Sequence, residues 1–213
     1  MRKHFSLYRA FIIAAAAASV LSANSLRAAD GGSWVNIQFN KGWTDTYAFL
    51  RAEHRSFKDF SETEAMFTAL GFGYKFTPWL KSDLSYEYWN VNPNVDIHKA
   101  VLTSTATMSR DGLAVSIREK LEYAMNPAAS STSLTLRSRL RGQYSIPGCG
   151  VTPYAMAEIF NWDKWVRSLY YVGSEIKVGK HSMVDIFYLY HLYPNALGNQ
   201  GEHVLGVGYY FNF

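Results

Sequence analysis

Residues 203–213, which end the chain, alternate strictly between apolar and small or polar side chains. Leu205, Val207, Tyr209, Phe211 and Phe213 point one way, and Gly206, Gly208, Tyr210 and Asn212 point the other. Successive side chains of a strand face opposite sides, so period two marks a strand with one apolar face. The pattern recurs upstream. Val35, Ile37 and Phe39 oppose Asn36, Gln38 and Asn40, while Ala48, Leu50 and Ala52 oppose Tyr47, Phe49, Arg51, Glu53 and Arg55. Leu70, Phe72, Tyr74 and Phe76 oppose Ala69, Gly71, Gly73 and Lys75. Leu80, Leu84, Tyr86 and Tyr88 oppose Lys81, Asp83, Ser85 and Glu87. Alternation weakens through the threonine-rich 97–108. It returns with Val115, Ile117 and Leu121 against Ser116, Arg118, Lys120 and Glu122.

Further on, Leu134, Leu136 and Leu140 oppose Arg137, Arg139 and Arg141, and Tyr154, Met156 and Glu158 oppose Ala155, Ala157 and Ile159. Tyr170, Val172 and Ile176 oppose Arg167, Tyr171, Gly173, Glu175 and Lys177, and Val184, Ile186, Tyr188 and Tyr190 oppose Asp185, Phe187, Leu189 and His191. A soluble sandwich would turn the apolar faces inward. A membrane barrel turns them to lipid and sends the charges to its lumen. Segments of about 10 residues suit tilted spanning strands. Trp43, Trp79, Trp89, Trp162 and Trp165 fall at segment ends, where interfacial aromatic belts lie.

The N-terminus is expected to be a secretory signal over residues 1–29. Arg2, Lys3 and Arg9 open it, a short apolar run follows, and small residues mark cleavage after Ser25 or Ala29. The run falls short of the roughly 20 residues a helical span requires. The leader holds four basic residues (Arg2, Lys3, Arg9, Arg27), which leaves 17 of the 21 basic residues against 17 acids. The formal charge of +4 therefore belongs to the leader and gives no argument for nucleic acid. Residues 30–213 are expected to be one domain, an all-β antiparallel up-and-down barrel. With no apolar run long enough for a helix, lipid crossing requires strands closed on themselves.

Strand number is read as about 10–12. Tight links at 76–79, 109–112, 145–150 and 179–181 alternate with longer ones near 56–64, 90–96, 125–132, 161–165 and 193–202. Short turns belong on the periplasmic side and long loops outside. The count from Trp43 onward is ten, so 34–40 either lies outside a ten-stranded wall or belongs to a twelve-stranded one. Glu119 falls on the apolar face, which calls for a bulge or an interfacial position there.

The final strand, ending in Tyr209, Phe211 and Phe213, resembles the terminal strand of bacterial outer-membrane barrels, whose last aromatic is read by the barrel-assembly machinery. A second resemblance rests on short motifs across the chain. These are Trp34, Arg51-Ala-Glu-His-Arg55, Gly73-Tyr74, Trp79-Leu80, Tyr86-Glu-Tyr88, the Leu-Arg alternation at 136–141 and Pro153-Tyr154 with Glu158-Ile-Phe160. Arg167 with Tyr171-Val-Gly173, Asp185 with Tyr188-Leu-Tyr190, and His203-Val-Leu205 complete them. Together they resemble domain-of-unknown-function family 2490 of predicted outer-membrane barrels. That resemblance implies fold and location and supplies no activity. The chain is expected to be a monomer among outer-membrane lipids and lipopolysaccharide. Residues 97–130 depart from it most.

Function must then be sought in the lumen. Parity sends Arg51, Arg55, Lys81, Arg118, Lys120, Arg137, Arg139, Arg141, Arg167 and Lys177 inward, with Glu53, Asp83, Glu87, Glu122, Glu158, Glu175 and Asp185. Arg and Lys ladders select anions in pores, so one reading is a narrow anion-preferring channel for small solutes. The layout is also similar to small arginine-lined porins. The competing reading, a closed structural or adhesive barrel, pairs the same charges into a plug, since about eight strands leave an interior that side chains fill. Inward glycines at 71, 73, 173, 206 and 208 would leave space or ease strand coiling.

A third reading is a rim hydrolase, with His98, His191 and His203 converging at the outer rim. No serine in a sharp nucleophile context accompanies them. The six histidines lack metal-ligand spacing, and no cofactor motif is present. The lone cysteine, Cys149, sits in a turn and cannot form an intrachain disulfide.

Overall fold

The computed structural model describes residues 31–57, 60–91, 95–160, 167–195 and 198–213. The expected leader, Trp162, Trp165 and loop residues 58–59 and 92–94 lie outside them. Eleven strands follow one another: β1 Gly31–Gly42, β2 Thr46–Phe57, β3 Glu62–Thr77, β4 Leu80–Val91, β5 Val95–Arg110 and β6 Leu113–Asn126. The wall continues with β7 Ser131–Tyr144, β8 Val151–Phe160, β9 Arg167–Lys177, β10 Ser182–Asn195 and β11 Gly198–Asn212. Each pairs with its sequence neighbours, and β1 closes the sheet against β11. All pairings are antiparallel except that closure, in which Gly31 meets His203 and Asn40 meets Asn212 in parallel register. Closure leaves no strand edge unpaired.

Residues 34–40 therefore form part of an eleventh strand within the wall, which corrects both alternatives of ten and twelve. An odd meander brings its first and last strands together running the same way, so the seam has to be parallel. The expected long loop at 193–202 is also mostly ladder, because β10 and β11 stay paired from Leu192↔Gly201 out to Asn195↔Gly198. Bulges occur at Arg55/Ser56 and Lys75/Thr77. The register through Glu119 is unbroken on both sides of β6, so the expected bulge is absent there. Glu119 is mid-strand, outward, and accepts from Ser138 Oγ at 2.7 Å.

The turns at one end have local causes. Asp111-Gly112 joins β5 to β6 with φ of 50° and 85°, the left-handed pair of a two-residue hairpin. Thr77 Oγ1 accepts from the amides of Trp79 and Leu80 between β3 and β4. Cys149 Sγ meets the Ile146 carbonyl at 3.6 Å in the β7–β8 turn. At that same end Phe213 closes the seam, its amide donating to Asn40 O at 3.0 Å and its carbonyl accepting from Gly42 N at 3.3 Å.

Burial is inverted relative to a water-soluble protein. Leu70 and Leu84 are each 63% exposed, whereas Glu87 is 1% and Glu158 2% exposed. The outward face is apolar and the inward face carries the charges. Of the tryptophans expected in the belts, Trp89 departs, and Trp34 also lies inside. Trp89 turns inward and stacks on Phe67, centroids 4.1 Å apart, and Trp34 lies inside against Tyr171. Trp43 and Trp79 are exposed at the tight-turn end.

The inward glycines leave no empty space. A Cβ on Gly71 would lie 2.3 Å from Phe49 Cζ, one on Gly73 2.2 Å from Tyr47 Cζ, and one on Gly206 1.9 Å from Phe187 Cζ. Each glycine is a seat for an aromatic ring from the next strand. Gly206→Val should therefore destabilise the barrel by about 1–3 kcal/mol through overpacking. Adding Phe187→Leu should recover part of that loss in urea-unfolding curves, which additive losses would contradict.

Candidate functional site: the charged lumen

The lumen divides along its axis. In the half away from the tight turns it is filled by side chains. Trp34, Tyr154, Phe160, Leu169, Tyr171, Phe187, Leu189 and Val204 form one buried cluster. Ala65, Phe67, Ala69 and Trp89 form a second on the opposite wall. Arg55 sits between them, its guanidinium 3.9 Å from the Trp34 ring and 4.8 Å from Trp89, while Nε donates to Glu53 at 2.7 Å. Arg167 lies over Phe160 at 3.9 Å. Cations on aromatic faces in a dry interior gain from the ring quadrupole.

Across the middle runs a chain of ion pairs from β2 to β8. Arg51 reaches Glu87 at 3.5 Å, and Lys120 bridges Glu87 and Glu122 at 3.0 Å each. Arg137 bridges Glu122 at 2.6 Å and Glu158 at 2.8 Å, and Arg118 ends the chain on Glu158 at 2.8 Å. Lys99 joins at Glu122, and Trp89 Nε1 donates to Glu87 at 2.8 Å. Five cations thus share three carboxylates, which leaves the chain with a net positive charge. Arg141 pairs with Glu175 at 2.6 Å, while Asp185 accepts from Tyr154 and Asp83 from Tyr47.

Below this chain a cavity of about 680 Å³ opens at the tight-turn end. Lys41, Arg51, Lys75, Lys81, Arg118, Lys120 and Arg139 line it, against only Asp83 and Glu87. Register explains the excess, because Lys75, Lys81, Thr105, Arg118 and Arg139 are consecutive partners across β3–β7. Arg139 takes part in no ion pair among the described residues, and its Nε is buried without an acceptor, as are the Nε atoms of Arg51, Arg118 and Arg141.

The expected inward residues are thus distributed mainly among three environments, with Arg141 paired to Glu175 and Asp185 bonded to Tyr154 apart from them. Arg55, Glu53 and Arg167 belong to the filled half. Arg51, Arg118, Lys120, Arg137, Glu87, Glu122 and Glu158 form the ion chain, and Lys81, Arg139 and Asp83 face the cavity. Lys177 is exposed at its strand end. Tyr209 faces outward and donates to Ser182 Oγ at 3.0 Å, and Phe211 packs between Phe39 and Phe213. The interior aromatics Trp34, Phe67, Trp89 and Phe160 are not among the expected lumen residues, and Trp89 is expected in a belt instead. Parity alone marks Trp89 and Phe67, since they share the faces of Glu87 and Ala69.

The rim histidines do not converge. His98 faces outward and shares a 2.5 Å hydrogen bond with Tyr86 Oη, and His203, on β11, is bonded to Tyr188 Oη. His191 is buried on the inward face, 3.4 Å from Glu202.

An all-β chain closed into a barrel, apolar outside and charged within, defines the class of the molecule. The chain belongs to the DUF2490 family, described as a protein of unknown function, whose model matches residues 31–202. Among solved structures, the NanC porin is similar at 10% sequence identity and a TM-score of 0.47, over 76% of this chain and 87% of that one. No curated protein matches.

Removing one carboxylate of the ion chain tests its role. Glu158→Ala strands Arg118, leaves Arg137 with Glu122 alone, and should cost about 3–5 kcal/mol, the range for breaking a buried pair from one side. Arg139→Gln should cost little or stabilise. Equal losses in denaturant titrations of the two variants would contradict this division.

Proposed function

We propose that the protein is a porin-like barrel of the bacterial outer membrane, exported on its 1–29 leader and inserted by the barrel-assembly machinery through its final aromatic strand. Its apolar outward face would contact lipid and lipopolysaccharide, and it would act as a monomer. The lumen passes small anions. The observation that carries this reading is the excess of seven cations over two carboxylates around the cavity at the tight-turn end. In a low-dielectric wall such a cluster concentrates anions and repels cations. The ion chain and the interior aromatics narrow the path beyond, which implies small conductance.

A second reading, a closed structural barrel, is favoured by one observation. Leu189 is fully buried and Val204 1% exposed inside the other half of the lumen.

Planar-bilayer recording of the detergent-purified protein across a salt gradient separates the two. Small, stable steps with an anion-biased reversal potential are expected, with selectivity falling toward neutral in a Lys81→Gln/Arg118→Gln/Arg139→Gln variant. A folded barrel that gives no steps would replace the channel with the closed reading.

A further inference from the structure

We infer that the cavity holds a discrete binding site for a soluble oxyanion, a phosphoryl or carboxyl group, between Arg118 and Arg139. The inference rests on the proposed anion preference but claims more: a saturable site with named donors, rather than a favourable field.

Arg118 and Arg139 are direct cross-strand partners on β6 and β7, both facing inward. Two guanidinium groups side by side repel each other unless an anion lies between them. The protein supplies part of that anion. Glu158, the next partner in the row, takes one Nη of Arg118 at 2.8 Å, but it is also held by Arg137 at 2.8 Å. Arg139 is left without an ion pair among the described residues, and the Nε–H groups of both arginines are buried with no acceptor. Buried donors in native proteins are nearly always satisfied. Both side chains line a cavity of about 680 Å³, large enough for a small solute.

The surroundings fit an oxyanion better than a halide. A guanidinium presents N–H groups in a planar fork that matches the paired oxygens of carboxylate or phosphate, which a single spherical ion cannot fill. Thr105 lies between Arg118 and Lys81 in the same row, adding a hydroxyl donor, and Lys75 continues the row beyond. At about 4.8 Å per strand, the row from Lys75 to Arg139 spans roughly 19 Å of wall, enough for a solute larger than the oxyanion itself. The facing acids are occupied elsewhere. Asp83 accepts from Tyr47, Glu87 is held by Lys120 and Arg51, and Glu175 by Arg141.

Equilibrium binding to the detergent-purified protein tests the site independently of conduction. Calorimetric titration with inorganic phosphate, and in parallel with acetate, is run in chloride at constant ionic strength. Saturable binding of at least one oxyanion is expected, the tighter of the two indicating the solute class. Arg139→Gln should weaken it by about tenfold or more through loss of the bidentate fork. Arg139→Lys, which keeps the charge without the fork, should fall between them. Arg110→Gln, at the exposed β5–β6 turn, should bind like the parent. If Arg139→Gln fails to fold, Arg139→Lys and Lys81→Gln carry the comparison. No saturable binding by the parent protein, or parental affinity in the Arg139 variants, overturns the site. Binding without conductance leaves the site standing and removes the channel, and conductance without binding does the reverse.

Discussion

Everything inside this barrel depends on three buried carboxylates. Glu87, Glu122 and Glu158 lie on β4, β6 and β8, every second strand of the wall, and each is shared by at least two cations. Alternate strands leave room for Lys120 and Arg137 to bridge neighbouring carboxylates, so the charges form one connected chain. A single buried ion is costly, and a pair offsets that cost only with good geometry and further hydrogen bonds. The chain provides both, with Trp89 Nε1 satisfying the second oxygen of Glu87. It also orders the lumen, since the Arg137 guanidinium lies over the Phe160 ring and the Lys99 ammonium over the Trp89 ring. On the tight-turn side of this chain the cavity opens, and Arg118 and Arg139 line it.

The wall solves a different problem. Closing only eleven strands leaves an interior in which large rings and long arginines compete for space. Glycines at 71, 73, 173 and 206 relieve that competition by letting an aromatic from the neighbouring strand lie flat against bare backbone. The parallel seam follows from the odd strand count. It is secured at the tight-turn end by Phe213, whose backbone bonds to Asn40 and Gly42 and whose ring packs on Phe211. The terminal aromatic thus holds the last strand to the first.

Much of this was legible in the residue pattern, and the exceptions share a cause. Period two identified the strands, their two faces and nearly every inward charge, because strand geometry assigns alternate residues to alternate sides. Parity puts Glu119 on the outward face, and neither a bulge nor an interfacial strand end is needed there, because a hydroxyl from Ser138 on the next strand accommodates the carboxylate mid-strand without any break in register. The place of Trp89 near a segment end suggests a belt, yet it shares its face with Glu87 on the same strand and pairs with inward Phe67. Parity is the stronger indicator here, because it reflects backbone geometry while distance from a turn does not.

The sequence by itself determined that the chain forms strands with an apolar face and a charged one, and which residues lie on each, since both follow from local backbone alternation. Only the tertiary structure decided how many strands close the wall, that β1 meets β11 in parallel, and which cations find carboxylates. Those outcomes depend on register between strands distant in sequence, where a shift of two residues would keep every side chain on its face and change every partner. Arg137 and Arg139 show the difference plainly. They are two residues apart on one face of one strand and identical by pattern. One is locked between Glu122 and Glu158, and the other faces an open cavity.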